Sequence, residues 1–477
     1  MGGISKKIED IKGTVHFIGA LGSGCYPLAK LLRARGYTVT GSDASVHVGY
    51  TDSDGIELTP PQRELSGSVE LAVYSLAISE DDPEILSARR RGVMLISRAQ
   101  LLGALMSLYR VRISVSGSHG KSTTTALIES ILASEGLKHT AVSGAKLATG
   151  ATYCDSGGDV FLTEACEYKD SFLCLCPTHQ IITSVELDHT DYFDSLESIR
   201  SSFLVAARMA QVVIINRDDP VARSIADELS GRTESAGKCE PHTRVEKTAI
   251  NAKNTIVTYG KGEGADYRFH AVHHDGDITR FAITHKGRTK ILETPLIGEY
   301  NLYNVTCAYA VADTLGTDEK SITEAISHFR GIERRASIIT HIGGVPVYYD
   351  YAHHPSEIAA VISALKSRYD RVTAIFRPHT YTRTRSLWQD FVTTLSMADR
   401  VILLDVFAAR EAPIPGVSSE ALANAIRGAI YTRDSHDAAR LATDSGADVI
   451  VLLGAGDVDD VKNALLELGN KNSTERI

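Results

Sequence analysis

The sequence predicts an α/β protein made of parallel sheets in three blocks. Three observations carry this. Strand-like and helix-like segments alternate along nearly all of the 477 residues, the order parallel sheets require because each strand is followed by a crossover. Gly-rich turns stand at the ends of two predicted strands, at Gly19-Ala20-Leu21-Gly22-Ser23-Gly24 and at Gly117-Ser118-His119-Gly120. From about residue 233 to residue 295 the rhythm changes to short alternating segments, among them 254–259 and 281–284. These predict antiparallel β structure added to the central sheet.

The elements follow in order. The first block opens with an apolar strand over 14–18, its Gly-rich turn and a helix to about Arg35. Strands over 37–40 and 70–75 and a helix near 100–108 complete it. The second block has a strand over 111–115, a Gly-rich loop closed by Lys121-Ser122, and a helix over 122–132. Strands over 160–164, 180–184 and 212–215 come next, then the added β segments and two helices, 301–315 and 320–329. The third block begins with a hairpin, 337–341 and 345–349, around Ile342-Gly343-Gly344. A helix from Pro355, a strand over 372–376, a helix from Arg385, a strand over 401–405, a helix from Ser418 and a strand over 448–453 follow.

Composition excludes several classes. A hydrophobic content of 43% with 23% charged residues permits sizeable cores. The net charge of −9, with no basic run in either half, excludes a nucleic-acid surface. No apolar run is long enough to span a membrane, so membrane insertion is not expected. Seven irregularly spaced cysteines predict reduced thiols and a cytoplasmic protein. Cys174 and Cys176 are expected on one side of a strand rather than around a metal.

The loop ending in Lys121-Ser122 carries the clearest chemistry. A strand, a loop with two glycines and a helix start bring backbone N–H groups to bear on an anion. Lys121 would reach the β- and γ-phosphates of a triphosphate, and the Ser122 hydroxyl would ligate Mg2+. The first Gly-rich turn, followed by Asp43, reads either as a tight strand-to-helix turn or as a nucleotide diphosphate site. Glu164 ends the strand 160–164, and Glu186, Asp188 and His189 follow the next strand. Ligands of open α/β sheets bind at such strand ends, so Glu164 and His189 are candidates to hold Mg2+ beside the phosphates. A solvated carboxylate and a hydrogen-bonded structural histidine remain the alternatives. Two further polar strand ends, 350–355 and 377–385, read either as solvated loops or as a place where a guanidinium holds a substrate carboxylate.

Taken together, these segments resemble the Mur ligases, the ATP-dependent amide-forming enzymes of peptidoglycan precursor synthesis. The resemblance covers nearly the whole chain. It rests on His16-Phe17-Ile18-Gly19 with Gly22-Ser23-Gly24, Gly41-Ser42-Asp43, the loop from Gly117 to Thr125, Glu164-Ala165, Asp188-His189 and Asn301-Leu302-Tyr303-Asn304. It rests also on Arg334-Arg335, the segments 350–355 and 378–384, and Glu411-Ala412-Pro413-Ile414-Pro415-Gly416, which are similar to the alanine-adding branch.

The resemblance implies three domains. A Rossmann-like domain over 1–108 would bind the UDP-sugar through Gly22, Ser23, Gly24 and Asp43. A P-loop ATPase-like domain over 109–330 would bind ATP, with Gly117, Ser118, His119, Gly120, Lys121, Ser122 and Thr123 on the nucleotide. Ser122, Glu164 and His189 would hold magnesium there. Asn301 matches the asparagine that approaches adenine, and Asn304 its neighbour in that motif. Arg335 and Asp350 match residues that contact nucleotide. A Rossmann-like domain over 331–477 would hold the amino acid with Tyr351, His353 and Arg383. Lys121, Glu164, His189, Asn301, Asn304, Arg335 and Asp350 form the implied catalytic set.

The implied reaction joins L-alanine to the lactyl carboxylate of UDP-N-acetylmuramate through an acyl phosphate. The partners are small molecules only, with no nucleic acid. The chain departs from the family pattern at Leu21, Cys25, Cys166–Lys169, Arg410 and Thr380. No lysine lies between Lys169 and Lys238, so a carbamylated lysine after Asp188-His189 is not expected. Other readings are a ligase for glycine, serine or a recycled tripeptide, a lapsed nucleotide-binding homologue, and a nicotinamide oxidoreductase that would leave the loop at Lys121 idle.

Overall fold

A computed structural model describes residues 8, 10–189, 192–231, 254–275, 278–409, 411–455 and 458–474. Cys239, Arg410 and Gly456 lie outside the described residues. Three sheets arise. The first has the order β3-β4-β2-β1-β5-β6. Its strands are β1 (Thr14–Ile18), β2 (Thr38–Ser42), β3 (Tyr50–Thr51), β4 (Glu57–Thr59), β5 (Val69–Tyr74) and β6 (Met94–Ser97). The second, of ten strands, has the order β16-β15-β14-β13-β12-β11-β7-β10-β8-β9. Its parallel centre is β7 (Val111–Ser116), β8 (His139–Val142), β10 (Val160–Glu164), β11 (His179–Ile182) and β12 (Val212–Asn216), with β9 (Tyr153–Asp155) on one edge. The other edge is β13 (Thr255–Gly260), β14 (Tyr267–Asp275), β15 (Ile278–His285) and β16 (Arg288–Thr294).

The third sheet has the order β17-β18-β22-β19-β20-β21. It comprises β17 (Ser337–Ile342), β18 (Val345–Asp350), β19 (Val372–Phe376), β20 (Arg400–Leu403), β21 (Ile430–Tyr431) and β22 (Val449–Leu453). The predicted hairpin is β17 paired antiparallel to β18.

The described chain falls into two compact units. The first comprises Met1–Pro295 with Tyr303–Phe329 and holds the first two sheets; the second comprises Leu296–Leu302 with Arg330–Ile477 and holds the third. In the first unit one buried cluster runs from Val15, Phe17 and Leu28 to Phe161, Phe203 and Ile215, so the two sheets share a core. Burying each such side chain stabilises by about 1.5–3 kcal/mol, so this shared surface is a strong bond between them. Arg35 adds a polar tie, its Nε donating to Asp155 at 2.8 Å. In the second unit, Phe376, Phe391 and Val451 pack on one face of the sheet, and Ile375, Ile402 and Leu452 on the other. No helix among the described residues is long and apolar enough to cross a membrane.

Four expectations change. β13 pairs parallel with both β12 and β14, and antiparallel pairing begins only at β14–β15. Period-two alternation reports half-buried strands, not the direction in which they pair. Cys174 ends a 3-10 turn, Tyr168–Cys174, instead of standing on a strand. Lys169 and Asp170 take φ of 50° and 55° there, which closes extended backbone. The helix expected from Arg385 is two helices, Tyr381–Ser386 and Trp388–Leu395. The strand expected over 180–184 stops at Ile182, because Thr183 and Ser184 turn their polar groups to the Gly-rich loop.

The turn after β1 depends on Gly41. A Cβ there would lie 2.4 Å from Ala20 Cβ and 3.2 Å from the Phe17 carbonyl oxygen. Gly41→Val is therefore expected to cost about 1–3 kcal/mol by overpacking. Urea unfolding followed by fluorescence measures it; an unmoved midpoint would show that the turn yields freely.

Candidate active site

In the first unit the loop after β7 is held by its neighbours before any ligand arrives. Gly117 and Gly120 have φ of 135° and 82°, conformations that favour glycine. A Cβ on Gly117 would fall 2.0 Å from Thr183 Oγ1, and one on Gly120 2.5 Å from Asn304 Oδ1. Ser118 N donates to the Ser184 carbonyl at 2.9 Å, and His119 N to Ser184 Oγ at 3.0 Å. Glu186 N donates back to Ser118 Oγ at 2.8 Å. The helix Lys121–Ser134 starts directly from this loop, so its N-terminal amides and dipole face the same place.

Lys121 is turned inward. Its Nζ donates to the Gly117 carbonyl and, at 3.3 Å, to the Ser118 carbonyl and to Glu167 Oε1. Burial works against its charge, but the Glu167 carboxylate, with Cys166 and Glu164, outweighs it and holds the lysine above its ordinary pKa. Glu167 is fully buried. His189, at φ 53°, sets Nε2 at 3.9 Å from the same Glu167 oxygen and its ring against Tyr168. Burial disfavours the imidazolium, while Cys166, Asp188 and Glu167 favour it and raise the pKa. Glu164 accepts a hydrogen bond from Ser143 Oγ.

A cavity of about 470 Å3 lies in this unit. Gly22, Ser23 and Gly24 line it together with Lys121, Glu164, Cys166 and Arg98. The first Gly-rich turn and the lysine of the second therefore open into one space. Asp43 instead secures the turn: its Oδ2 accepts from Leu21 N at 3.1 Å and its Oδ1 from Ser45 N at 3.0 Å. Ser122 and Thr123 are buried in the first turn of the helix. Asn304 braces that helix, its Oδ1 accepting from Thr124 Oγ1 at 3.3 Å. Sequence reading missed Glu167 and Arg98. Glu167 lies within Cys166–Lys169, where the sequence departs from the family pattern; Arg98 carries no signal, because only the fold brings it to Gly24.

The second unit holds the other predicted residues. Asp350 ends β18, buried, and accepts from Ala336 N at 2.6 Å and Ala352 N at 2.7 Å. Burial pushes its carboxyl up to about 6, opposed by the Arg335 guanidinium and these amides. Arg335 lies over the Tyr351 ring at 5.3 Å. Tyr351 and His353 meet edge to face with centroids 5.2 Å apart. His353 Nδ1 lies 3.1 Å from the Tyr351 carbonyl, which fixes the ring proton on Nδ1 and leaves Nε2 as the acceptor. His353 and His379 rings are 5.9 Å apart, and Arg383 Nη1 donates to His379 Nδ1 at 3.3 Å. Tyr351, His353 and Arg383 thus gather around one strand-end cluster. Asn301, also in this unit, donates to the Ile297 carbonyl at 2.8 Å.

Comparison with known proteins adds three family matches: the Mur ligase family catalytic domain over residues 14–110, the Mur ligase middle domain over 115–251 and 237–312, and the Mur ligase glutamate ligase domain over 334–456. The chain is 35% identical to a UDP-N-acetylmuramate–L-alanine ligase of Thermobifida fusca, over 96% of this chain and 97% of that one. A protein of the same name from Anaeromyxobacter sp. is 34% identical over 95% and 97%. Among solved structures, a UDP-N-acetylmuramate-alanine ligase of Thermotoga maritima shares the fold with a TM-score of 0.76 at 22% identity, covering 97% of this chain and 100% of that one. A murein peptide ligase of Psychrobacter arcticus does so with a TM-score of 0.64 at 22% identity, covering 96% and 99%.

The cluster in the second unit has a pH signature. Burial, with Arg383 and His353 beside it, lowers His379 from 6.5 to about 4. A depressed folded-state value favours the neutral ring in the native protein. Its contribution to stability is present above the unfolded pKa and is lost as pH falls through about 4. A proton NMR titration should find the His379 ring neutral at pH 5. Titration near 6.5 would show that Arg383 does not face it.

Proposed function

The chain belongs to the Mur ligase family, and on that premise we propose that it joins L-alanine to the lactyl carboxylate of UDP-N-acetylmuramate, using ATP. One observation in the first unit carries the reading. Gly22–Gly24 and the Lys121 ammonium line a single cavity, which suits a sugar nucleotide whose carboxylate must meet a phosphoryl donor. The full-length relatives named for this reaction support the choice of substrates. Residues 1–108 would take the sugar nucleotide, 109–330 ATP and 331–477 the amino acid, in the cytoplasm.

The chemistry follows from the groups available. The sugar nucleotide's carboxylate attacks the γ-phosphorus and ADP leaves; the amine of alanine then attacks the acyl phosphate and phosphate leaves. Both steps concentrate negative charge on phosphoryl oxygens. Lys121 and the amides at the start of its helix answer that charge with little reorganisation. In the first step Lys121 exchanges the loop carbonyls and Glu167 for phosphate oxygens.

A divalent cation fits the oxygen donors here: the Glu164 carboxylate lines the cavity and Ser122 stands in the first turn of the helix. Ser122 and Glu164, with His189, would hold Mg2+, which when bound neutralises phosphate charge. In the second unit, Arg383 would pair with the carboxylate of alanine while its amine stays free to react. His353 is pulled below its ordinary pKa by burial and Arg383, against Glu357. Neutral at pH 7, with its lone pair on Nε2, it is suited to take the proton of the attacking amine.

Two variants test these assignments. Lys121→Ala should lower turnover on the order of 10³-fold with the fold intact; near-normal ligation by a folded variant would remove Lys121 from phosphoryl transfer. Arg383→Ala should raise the KM for L-alanine far more than that for ATP or the sugar nucleotide. Weakened ATP binding with an unchanged KM for alanine would move Arg383 to the nucleotide.

A further inference from the structure

A second group of metal-ligating side chain types meets in the first unit, away from the residues assigned above. Glu129 lies on the helix Lys121–Ser134, His139 on β8 and Cys154 on β9. One ligand atom from each falls within 4.8 Å of the others, the one such grouping of His, Cys, Asp and Glu among the described residues. The fold explains the meeting. β8 and β9 pair antiparallel with Ala141 opposite Cys154. Residues 139 and 141 share a face of the strand, so His139 and Cys154 point to the same side, where Glu129 comes down from the helix.

Two of the three groups face each other without a hydrogen bond. Glu129 and His139 are 1% and 2% exposed. Both Glu129 oxygens and His139 Nε2 are buried without a hydrogen-bond partner. His139 Nδ1 lies 2.7 Å from the Leu137 carbonyl, so the neutral ring carries its proton there and aims the Nε2 lone pair at Glu129. A backbone carbonyl on the far nitrogen is the usual outer support of a metal-bound histidine. Nε2 and Glu129 Oε1 are 3.6 Å apart. That is too long for a hydrogen bond. It suits two donors around a tetrahedral ion, whose bonds of about 2.0–2.3 Å hold neighbouring ligands a little over 3 Å apart.

Cys154 is half-buried on an edge strand and leaves room for water as a fourth ligand. One carboxylate and one thiolate balance a dication. The nitrogen and sulfur donors select a borderline-soft ion and disfavour Mg2+.

We propose that Glu129, His139 and Cys154 form a structural site for a borderline-soft divalent cation of the zinc class. It ties the β8–β9 edge hairpin to the helix whose first residue is Lys121.

The test uses the full chain, stripped with a chelator and titrated with Co2+ in excess Mg2+ without nucleotide. One equivalent should bind, with thiolate-to-cobalt charge-transfer absorption and the visible bands of tetrahedral Co2+, and Zn2+ should displace it and raise the Tm. Cys154→Ser, a conservative change at a half-buried position, should abolish the charge-transfer band. It should weaken binding by at least the roughly tenfold that even an outer-shell partner is worth. His139→Gln should abolish one-equivalent binding. No charge-transfer band, or one that survives Cys154→Ser, would overturn the proposal; the cluster would then be a buried imidazolium–carboxylate pair with a spectator thiol.

Discussion

A half-buried ammonium needs a partner, and the partners of Lys121 set the terms for what surrounds them. Removing a charge from water is costly unless another group answers it. Two loop carbonyls and the buried Glu167 carboxylate do so here. The loop must present those carbonyls inward, which two glycines at positive φ permit. It must also be held in that shape, which Thr183, Ser184 and Glu186 achieve from the segment after β11. The lysine is therefore held charged and in position by contacts within the protein.

The same constraint shapes the segment after β10. Glu167 must be buried against Lys121, so the chain turns sharply at Lys169 and Asp170. Asp170 anchors the turn by accepting from Ser202 Oγ at 2.6 Å and Tyr192 OH at 2.8 Å. That turn brings Tyr168 and Ser171 to the cavity wall beside Lys121 and Arg98. Because the first two sheets share a core, the Gly22–Gly24 turn is carried to this wall by packing rather than by a linker. Lys121 and the Gly22–Gly24 turn then face one volume.

Much of this was legible in the residues. Strands β1, β10 and β19 begin and end as read, because each is a short segment rich in apolar and β-branched residues that gives way to a polar or glycine-containing turn. The loop at Lys121 was legible because its chemistry is local. The strand-end residues Tyr351, His353 and Arg383 were named as a group, and the fold gathers them. What depends on distant contacts was not legible. Glu167 and Arg98 acquire meaning only from what packs on them. The parallel pairing of β13 is invisible to period two. Glu129, His139 and Cys154 come from a helix and two strands whose spacing matches no metal-ligand pattern. The hold of Asp43 on the turn through Leu21 N and Ser45 N is likewise invisible in the sequence.

The central claim is that the phosphate loop, the Gly22–Gly24 turn and the Arg383 cluster serve one reaction. ADP release, followed while each substrate is withheld in turn across a panel of small amino acids, tests it most directly. The account predicts sustained ADP formation, one for each amide bond, only with ATP, UDP-N-acetylmuramate and an amino acid together, and fastest with L-alanine. Glycine should be rejected by only a modest factor, since a methyl offers little to grip. Sustained ATP turnover indifferent to the sugar nucleotide or the amino acid, or formed without an amide product, would contradict it.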